Sequence, residues 1–368
     1  MWAAAVTLLL LTPGGSLVRS TFGLRFGPWQ LGRSESDRAD LVVEQQVAAA
    51  SPWTDATTSM ASSTTRSALQ EPADGKPKCL ITQRGADGMG HQLEAKLSCI
   101  AVAKYLSKDF RYVHVPFHHL AHRGHATQKT LEALQMEKFL GLGELFRNFE
   151  WKSKELELQR IEVVWVGQCH KTGWIRKVEL GQVSCKNDNK TLYWLADCWE
   201  RFYCYGFTES GYWYTILPTI QQAYYSTAKP DPDWLEGMSS GPWGPKVVVH
   251  IRRGDGSYLP DAWYLKQINA LRSRFAAGPP PLFRIQTDAI YLDKLLERTP
   301  EFKANDIAID GRNSSFPLTF HRMVVADALV MSKSALSMSA GLIGNQSITI
   351  LPACWDRTPL PHWTMAKC

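Results

Sequence analysis

The sequence predicts an α/β fold of two Rossmann-like halves, each on a parallel sheet, and three observations carry that reading. After residue 245, short β-branched and apolar runs alternate with amphipathic helical stretches, the pattern of a doubly wound sheet. Near residue 80 a strand, a glycine-rich turn and a helix follow one another, which is a second βα start. Between them, residues 231–245 are rich in proline and glycine and read as a linker. A chain of 368 residues with 45% hydrophobic content buries a large core and has room for about two domains.

Taken in order, residues 1–20 contain an apolar run from Met1 to Leu11, ended by Thr12-Pro-Gly-Gly-Ser16. That run has the length of a signal-peptide core or short anchor and is too short to cross a bilayer comfortably. Arg19, Arg25 and Arg33 keep an organelle transit peptide open as the alternative. Residues 21–78 lack apolar periodicity and read as a disordered stem.

The first half spans 79–243. Strands are expected at Lys78–Thr82, Phe110–Val115 and Ile161–Val166, with helices over Gln92–Leu106 and Thr127–Phe146. Residues 167–215, rich in aromatics and cysteine, read as an irregular and bridged insertion. The second half spans 244–355, with strands at 246–251, Leu282–Gln286, Asp306–Asp310, Ala328–Met331 and Ile348–Leu351. Helices over Ala262–Ala276, Tyr291–Arg298, Phe316–Ala326 and Leu336–Ile343 separate them, and 356–368 is left as a tail.

Charge and cysteine usage narrow the function. The formal charge is +6, and no basic run marks a dedicated nucleic-acid protein. Eight cysteines permit four bridges, and the group Cys169, Cys185, Cys198 and Cys204 favours disulfides, with no CxxC pair to suggest zinc. Glycosylation sequons start at Asn189, Asn313 and Asn345. Together these point to the lumen of the secretory pathway, Golgi or ER. The histidines His114, His118, His119, His122 and His125 sit among Pro116 and Gly124, which argue for a loop rather than a metal-binding helix, so no metal site is expected. Most of the fourteen tryptophans read as core, with one or two available to stack on acceptor sugars.

The chemistry concentrates where the strand Lys246–Ile251 runs into Arg252 and Arg253. A core has no use for two guanidinium groups, whereas the crevice beyond a parallel sheet's strand ends binds ligands. Arginine grips phosphate oxygens with two donors at once, so the strand end suits the diphosphate of a nucleotide-sugar. Strand alternation sends the two arginines to opposite faces. Arg252 is read as the clamp, and Arg253 as an outer contact or a structural partner for Asp255. Salt bridging of both at a sheet edge is the alternative. Arg253-Gly254-Asp255 also spells an integrin-binding tripeptide, a match common by chance.

His250-Ile-Arg-Arg-Gly-Asp255 resembles the H-x-R-R-x-D signature of the α1,2-/α1,6-fucosyltransferase and protein O-fucosyltransferase superfamily. Phe283-Arg-Ile-Gln-Thr-Asp288 is similar to its second block, Asp327 to Ser337 to its third, and Gly88-Met-Gly-His-Gln-Leu93 to its amino-terminal glycine turn. These blocks fall in the family's order between residues 80 and 352. The resemblance implies a GT-B architecture, two Rossmann-like domains facing across a cleft. It also implies an inverting transfer of L-fucose from GDP-fucose to a glycan or glycoprotein, with no required metal or cofactor.

Carried over residue by residue, the resemblance places Arg252 on the leaving phosphate, and His250, Arg253 and Asp255 around the nucleotide. Asp288 falls on guanine or ribose, with a helix cap as the alternative. Ser334, Ser337 and Gly90 fall by the diphosphate. His91, where relatives carry Asn or Cys, and Asp261, one residue displaced from the α1,6 group's glutamate, are the candidates for proton transfer. Asp261 could equally cap the following helix. Leu336 replaces the usual Phe of the Ser-rich turn. Another nucleotide sugar on the same fold, or a catalytically inactive nucleotide- or glycan-binding protein, remains as an alternative. Membrane association through the N-terminus is expected; a nucleic-acid partner is not.

Overall fold

A computed structural model describes residues 5–11, 17–23, 79–83, 88–106, 109–117, 126–146, 162–168, 174–183, 185, 191–196, 211–254, 258–311, 314–355, 357 and 359–368. The chain divides into a unit of residues 1–64 and a unit of 65–368. In the first, β1 (Ala5–Leu11) pairs antiparallel with β2 (Leu17–Gly23).

The second unit holds two all-parallel sheets. The first consists of β3 (Cys79–Gln83), β4 (Phe110–Tyr112), β5 (Glu162–Gln168) and β6 (Thr191–Ala196), in spatial order β4-β3-β6-β5. Its helices are α1 (Met89–Tyr105), α2 (Ala126–Leu140), α3 (Leu142–Leu145), α4 (Trp174–Glu179) and α5 (Gly211–Tyr225). The expected single helix over 127–146 is broken at Gly141. That residue turns at φ +69°, and a side chain on it would run into the Ala223 carbonyl. The stretch read as irregular contains β6, an inner strand of this sheet, as well as α4. Its run Thr191-Leu-Tyr-Trp194 is buried throughout and so lacks the alternation that betrays a half-exposed strand.

The second sheet has the order β12-β11-β10-β7-β8-β9. Its strands are β7 (Lys246–Ile251), β8 (Leu282–Thr287), β9 (Ile307–Asp310), β10 (Ala328–Val330), β11 (Ile348–Pro352) and β12 (Thr364–Ala366). The connecting helices are α6 (Asp261–Arg274), α7 (Leu292–Arg298), α8 (Phe316–Val325) and α9 (Ala335–Ile343). Counted from β7, the order is that of a Rossmann sheet, and it reverses between β7 and β10. The segment left as a tail supplies β12. Three mostly exposed residues carry no hydrophobic signature, but they pair with β11, and Cys354–Cys368 ties the segment down.

One core joins the two sheets. Ile81, Leu93 and Leu97 from the first share a buried cluster with Val248, Leu329, Met331 and Met338 from the second. A second core, including Val249, Trp263, Ile268 and Phe283, fills the other face of the larger sheet. The linker does not hang loose. The buried guanidinium of Arg284 donates to the carbonyls of Trp234 at 3.0 Å and Glu236 at 2.6 Å. That of Arg322 donates to Pro232 at 2.6 Å and Asp233 at 3.0 Å. Both arginines also hold Asp310, at 2.6 and 2.9 Å.

Of the four cysteines expected in disulfides, the structure describes Cys185. Cys185 bridges Cys79, 106 residues away, and Cys99 is buried. Cys169, Cys198 and Cys204 lie outside the described residues.

Candidate functional site

β7 ends at Ile251 beside the point where strand order reverses, so Arg252 leaves the sheet where such folds bind ligands. Its Nη1 donates to the Lys333 carbonyl at 3.5 Å, in the turn that joins β10 to α9. The guanidinium therefore lies next to the amino-terminus of α9, whose first N–H groups form a partial positive charge. Ser334 caps that helix, its Oγ accepting from Leu336 N–H at 3.3 Å. Ser337 is turned inward instead: it is fully buried and donates to the Ser334 carbonyl at 3.1 Å. The expected ligand contact of Ser337 is thus an internal bond of the helix.

Arg253 points elsewhere, as strand alternation requires. Its Nη2 pairs with Asp261, its Nη1 donates to the Arg252 carbonyl at 2.8 Å, and its guanidinium lies over the rings of Tyr258 and Tyr264. Asp261 also faces Arg298 at 3.5 Å. One carboxylate on Arg253 is Asp261, and Asp261 meets two guanidinium groups, where the sequence makes it a candidate base. It does not cap α6, since Pro260 stands at the cap position and Asp261 in the first turn. Asp255 lies outside the described residues.

Asp288, expected on the nucleotide or as a helix cap, binds backbone in the 252–254 turn. Its Oδ1 accepts the backbone N–H groups of Arg253 and Gly254, the latter at 3.0 Å. A Cβ on Gly254 would stand 2.7 Å from Asp288 Oδ2, so the glycine permits this close approach. The carboxylate fixes the turn that carries the two arginines.

His250 is buried, with Nδ1 3.2 Å from Ser332 Oγ. Burial pushes its pKa down to about 4, with Asp288 opposing and Arg252 adding to the shift. The imidazole is therefore neutral and offers one donor and one acceptor. Gln286, paired in register with both His250 and Asp310, is a residue sequence reasoning passed over. It is buried with neither amide atom hydrogen-bonded among the described residues. A glutamine at a buried position of a parallel strand was the available signal.

The first half reaches this place through α1. Gly90 abuts the first turn of α9, so His91 beside it stands at the junction of the halves. The described part of the histidine cluster is structural. His114 is buried between Tyr112 OH, at 3.1 Å, and Glu137 Oε1, at 2.5 Å. His118, His119, His122 and His125 lie outside the described residues, among which no three His, Cys, Asp or Glu side chains gather as a metal set.

Fold and site together define an α/β protein with two parallel sheets, the second in Rossmann order with a cationic strand end at its switch point. Among solved structures, the chain is similar to NodZ α-1,6-fucosyltransferase of Bradyrhizobium soaked with GDP-fucose, at 13% identity and TM-score 0.37, covering 73% of this chain and 93% of that one. It is also similar to Arabidopsis thaliana FUT1 in complex with GDP, at 14% identity and TM-score 0.38, with coverage of 75% and 70%. A third is the E. coli heptosyltransferase WaaC with ADP, at 12% identity and TM-score 0.36, with coverage of 79% and 93%. No protein-family model and no curated protein sequence matches the chain.

Proposed function

We propose that the chain is an inverting glycosyltransferase that moves L-fucose from GDP-fucose to a hydroxyl of a glycan or glycoprotein. The observation that carries this reading is Arg252 leaving β7 at the switch point, against the amino-terminus of α9. The H-x-R-R-x-D resemblance supplies the sugar and the base.

In this reaction the acceptor oxygen bonds to fucose C1 as the bond from C1 to the β-phosphate oxygen breaks. GDP leaves with that electron pair, and the acceptor's proton passes to a base. Arg252 and the first N–H groups of α9 complement the charge growing on the leaving phosphate, the kind of stabilisation that often dominates a rate. Neutral His250 and Gln286 suit the hydrogen-bonding edge of the nucleotide. Asp288, Arg253 and Asp261 hold the turn beneath it. His91, at the start of α1, is assigned the proton. The reaction on this reading needs no metal, and the N-terminus carries the enzyme into the ER or Golgi lumen. The Cys79–Cys185 and Cys354–Cys368 bridges and the exposed sequon at Asn345 support that compartment.

Thermal stabilisation by a nucleotide panel, followed by GDP release from GDP-fucose, tests the proposal. GDP is expected to stabilise the protein above UDP and ADP, and Arg252→Ala to cut GDP release by a factor on the order of 10²–10³. A preference for UDP, or undiminished turnover in Arg252→Ala, would overturn it.

A further inference from the structure

We propose that Gln83, the last residue of β3, binds a neutral hydroxylated ligand: the acceptor carbohydrate of the transfer reaction above, on which reading this inference rests. β3 is flanked by β4 on one side and by β6 on the other, so the first sheet also reverses its order there. Ligands of open α/β sheets bind outside the strand ends at such points. Gln83 is fully buried, yet neither its Nε2 nor its Oε1 has a hydrogen-bond partner among the described residues. Buried amides are nearly always bonded, and an exception calls for a missing partner.

The surroundings set the chemistry a partner must have. Val113 N–H donates to the Ile81 carbonyl at 3.0 Å, and Thr82 Oγ1 donates to the Val113 carbonyl at 2.8 Å. These bonds lay His114 alongside Gln83, on the sheet face shared by Ile81 and Tyr112. His114 has both ring nitrogens taken, by Tyr112 and Glu137, and Glu137 also accepts Phe117 N–H at 3.1 Å. The walls are therefore fixed, while the amide among them keeps two donors and an acceptor to give.

Their charges nearly cancel. Burial keeps His114 neutral, and the bonds from His114 and Phe117 keep Glu137 ionised despite burial. Lys96 of α1 stands opposite, donating to the Val115 carbonyl with its ammonium 4.7 Å from the Phe117 ring centre. A neutral wall with an unused amide fits adjacent hydroxyls rather than phosphate. The face that Gln83 shares with Ile81 packs into the same core as Met331 and Met338, so a ligand held there lies on the donor side of the first sheet.

The test uses the full chain and ligand-observed NMR with the methyl glycosides of glucose, galactose, mannose and N-acetylglucosamine, without nucleotide. The wild type is expected to bind at least one of them, and Gln83→Leu to lose that signal while melting no lower. Leucine removes the unbonded amide, so a purely structural glutamine would leave binding unchanged. Wild-type protein that binds none of the four, or Gln83→Leu that binds like wild type, overturns the proposal. If Gln83→Leu does not fold, Gln83→Asn, with a shorter reach and the amide kept, is read by the same criteria. GDP stabilisation in the same samples reports separately on the donor, so failure of the transferase reading is distinguishable from failure at Gln83.

Discussion

Gly90 lies directly on the backbone of Leu336: a Cβ at Gly90 would stand 2.5 Å from the Leu336 nitrogen and 2.9 Å from its Cα. This is how the glycine turn of the first half and the serine-rich turn of the second, far apart in sequence, come to share one place. Gly90→Ala sets two effects against each other. Alanine favours a helix by about 1 kcal/mol over glycine. Against this, overpacking typically costs about 1–3 kcal/mol, and backbone cannot rotate aside as a side chain can. The clash wins, so the variant is expected to lose stability in urea unfolding and to bind GDP more weakly as α9 is displaced. Equal or greater stability with unchanged GDP binding would show that the two helices do not meet this closely.

Arg252 and Arg253 are adjacent in sequence and are expected to separate cleanly in experiment. Arg252→Ala should leave the melting temperature near wild type and cut turnover of GDP-fucose by a factor on the order of 10²–10³. Arg252→Lys keeps the charge but loses the planar fork, and should recover only part of the rate. Arg253→Ala removes the partner of Asp261 and the bond to the Arg252 carbonyl. It is expected to cost about 2 kcal/mol of stability, below the figure for a fully buried pair because both groups keep some solvent contact. Melting curves and single-turnover rates on both variants check the division. Equal thermal destabilisation by the two would erase the distinction.

The fold was largely legible in the sequence where strands are buried on both faces. Lys246–Ile251 reads as a strand to the residue, because a β-branched run bounded by a Pro/Gly linker and charged residues has few other meanings. What was illegible was decided by partners remote in the chain. β12 is a strand only because β11 and the Cys354–Cys368 bridge hold it there. Asp288 and Asp261 both meet the 252–254 turn, and which groups they grip follows from how that turn folds back. Arg284 was a readable clue that went unused: a charge inside Phe283-Arg-Ile285 requires a buried partner, and Asp310 at the neighbouring strand's end supplies it.

Asp310 therefore carries more stability than its position suggests. It is the carboxylate between Arg284 and Arg322, each only 1% exposed. Asp310→Ala leaves two buried cations without it, a change that costs about 3–5 kcal/mol where a buried pair is broken. The exposed Glu236, at 2.6 Å from Arg322, offsets little of this. The linker carbonyls at 232–236 hang on the same guanidiniums, so limited proteolysis there is expected to accelerate together with unfolding in urea. Asp310→Asn, which keeps the shape and one acceptor, should fall between wild type and alanine. A near-neutral Asp310→Ala would mean that the arginines find other partners.

Among the buried groups that set stability against pH, three have large shifts whose signs oppose one another. Burial raises the Glu94 carboxyl from 4.5 to about 8, with Arg357 working against it, and lowers His250 and His321 from 6.5 to about 4. Between about pH 4 and 6.5 the unfolded chain protonates both histidines while the folded chain does not, so they make stability rise with pH. From pH 4.5 to about 8 the folded chain keeps a proton on Glu94 that the unfolded chain has lost, so this group makes stability fall as pH rises. Two histidines outweigh one carboxyl below 6.5, and Glu94 acts alone above it. The expected profile of unfolding free energy from urea titrations thus peaks near pH 6.5 and declines toward pH 8. Glu94→Gln takes the proton exchange away, so its curve should run flat between 6.5 and 8 even if its overall level drops through the lost contact with Arg357, at 3.2 Å. A wild-type curve that climbs through that window, or a slope that survives in Glu94→Gln, would mean that Glu94 ionises in the folded protein at ordinary acidic pH.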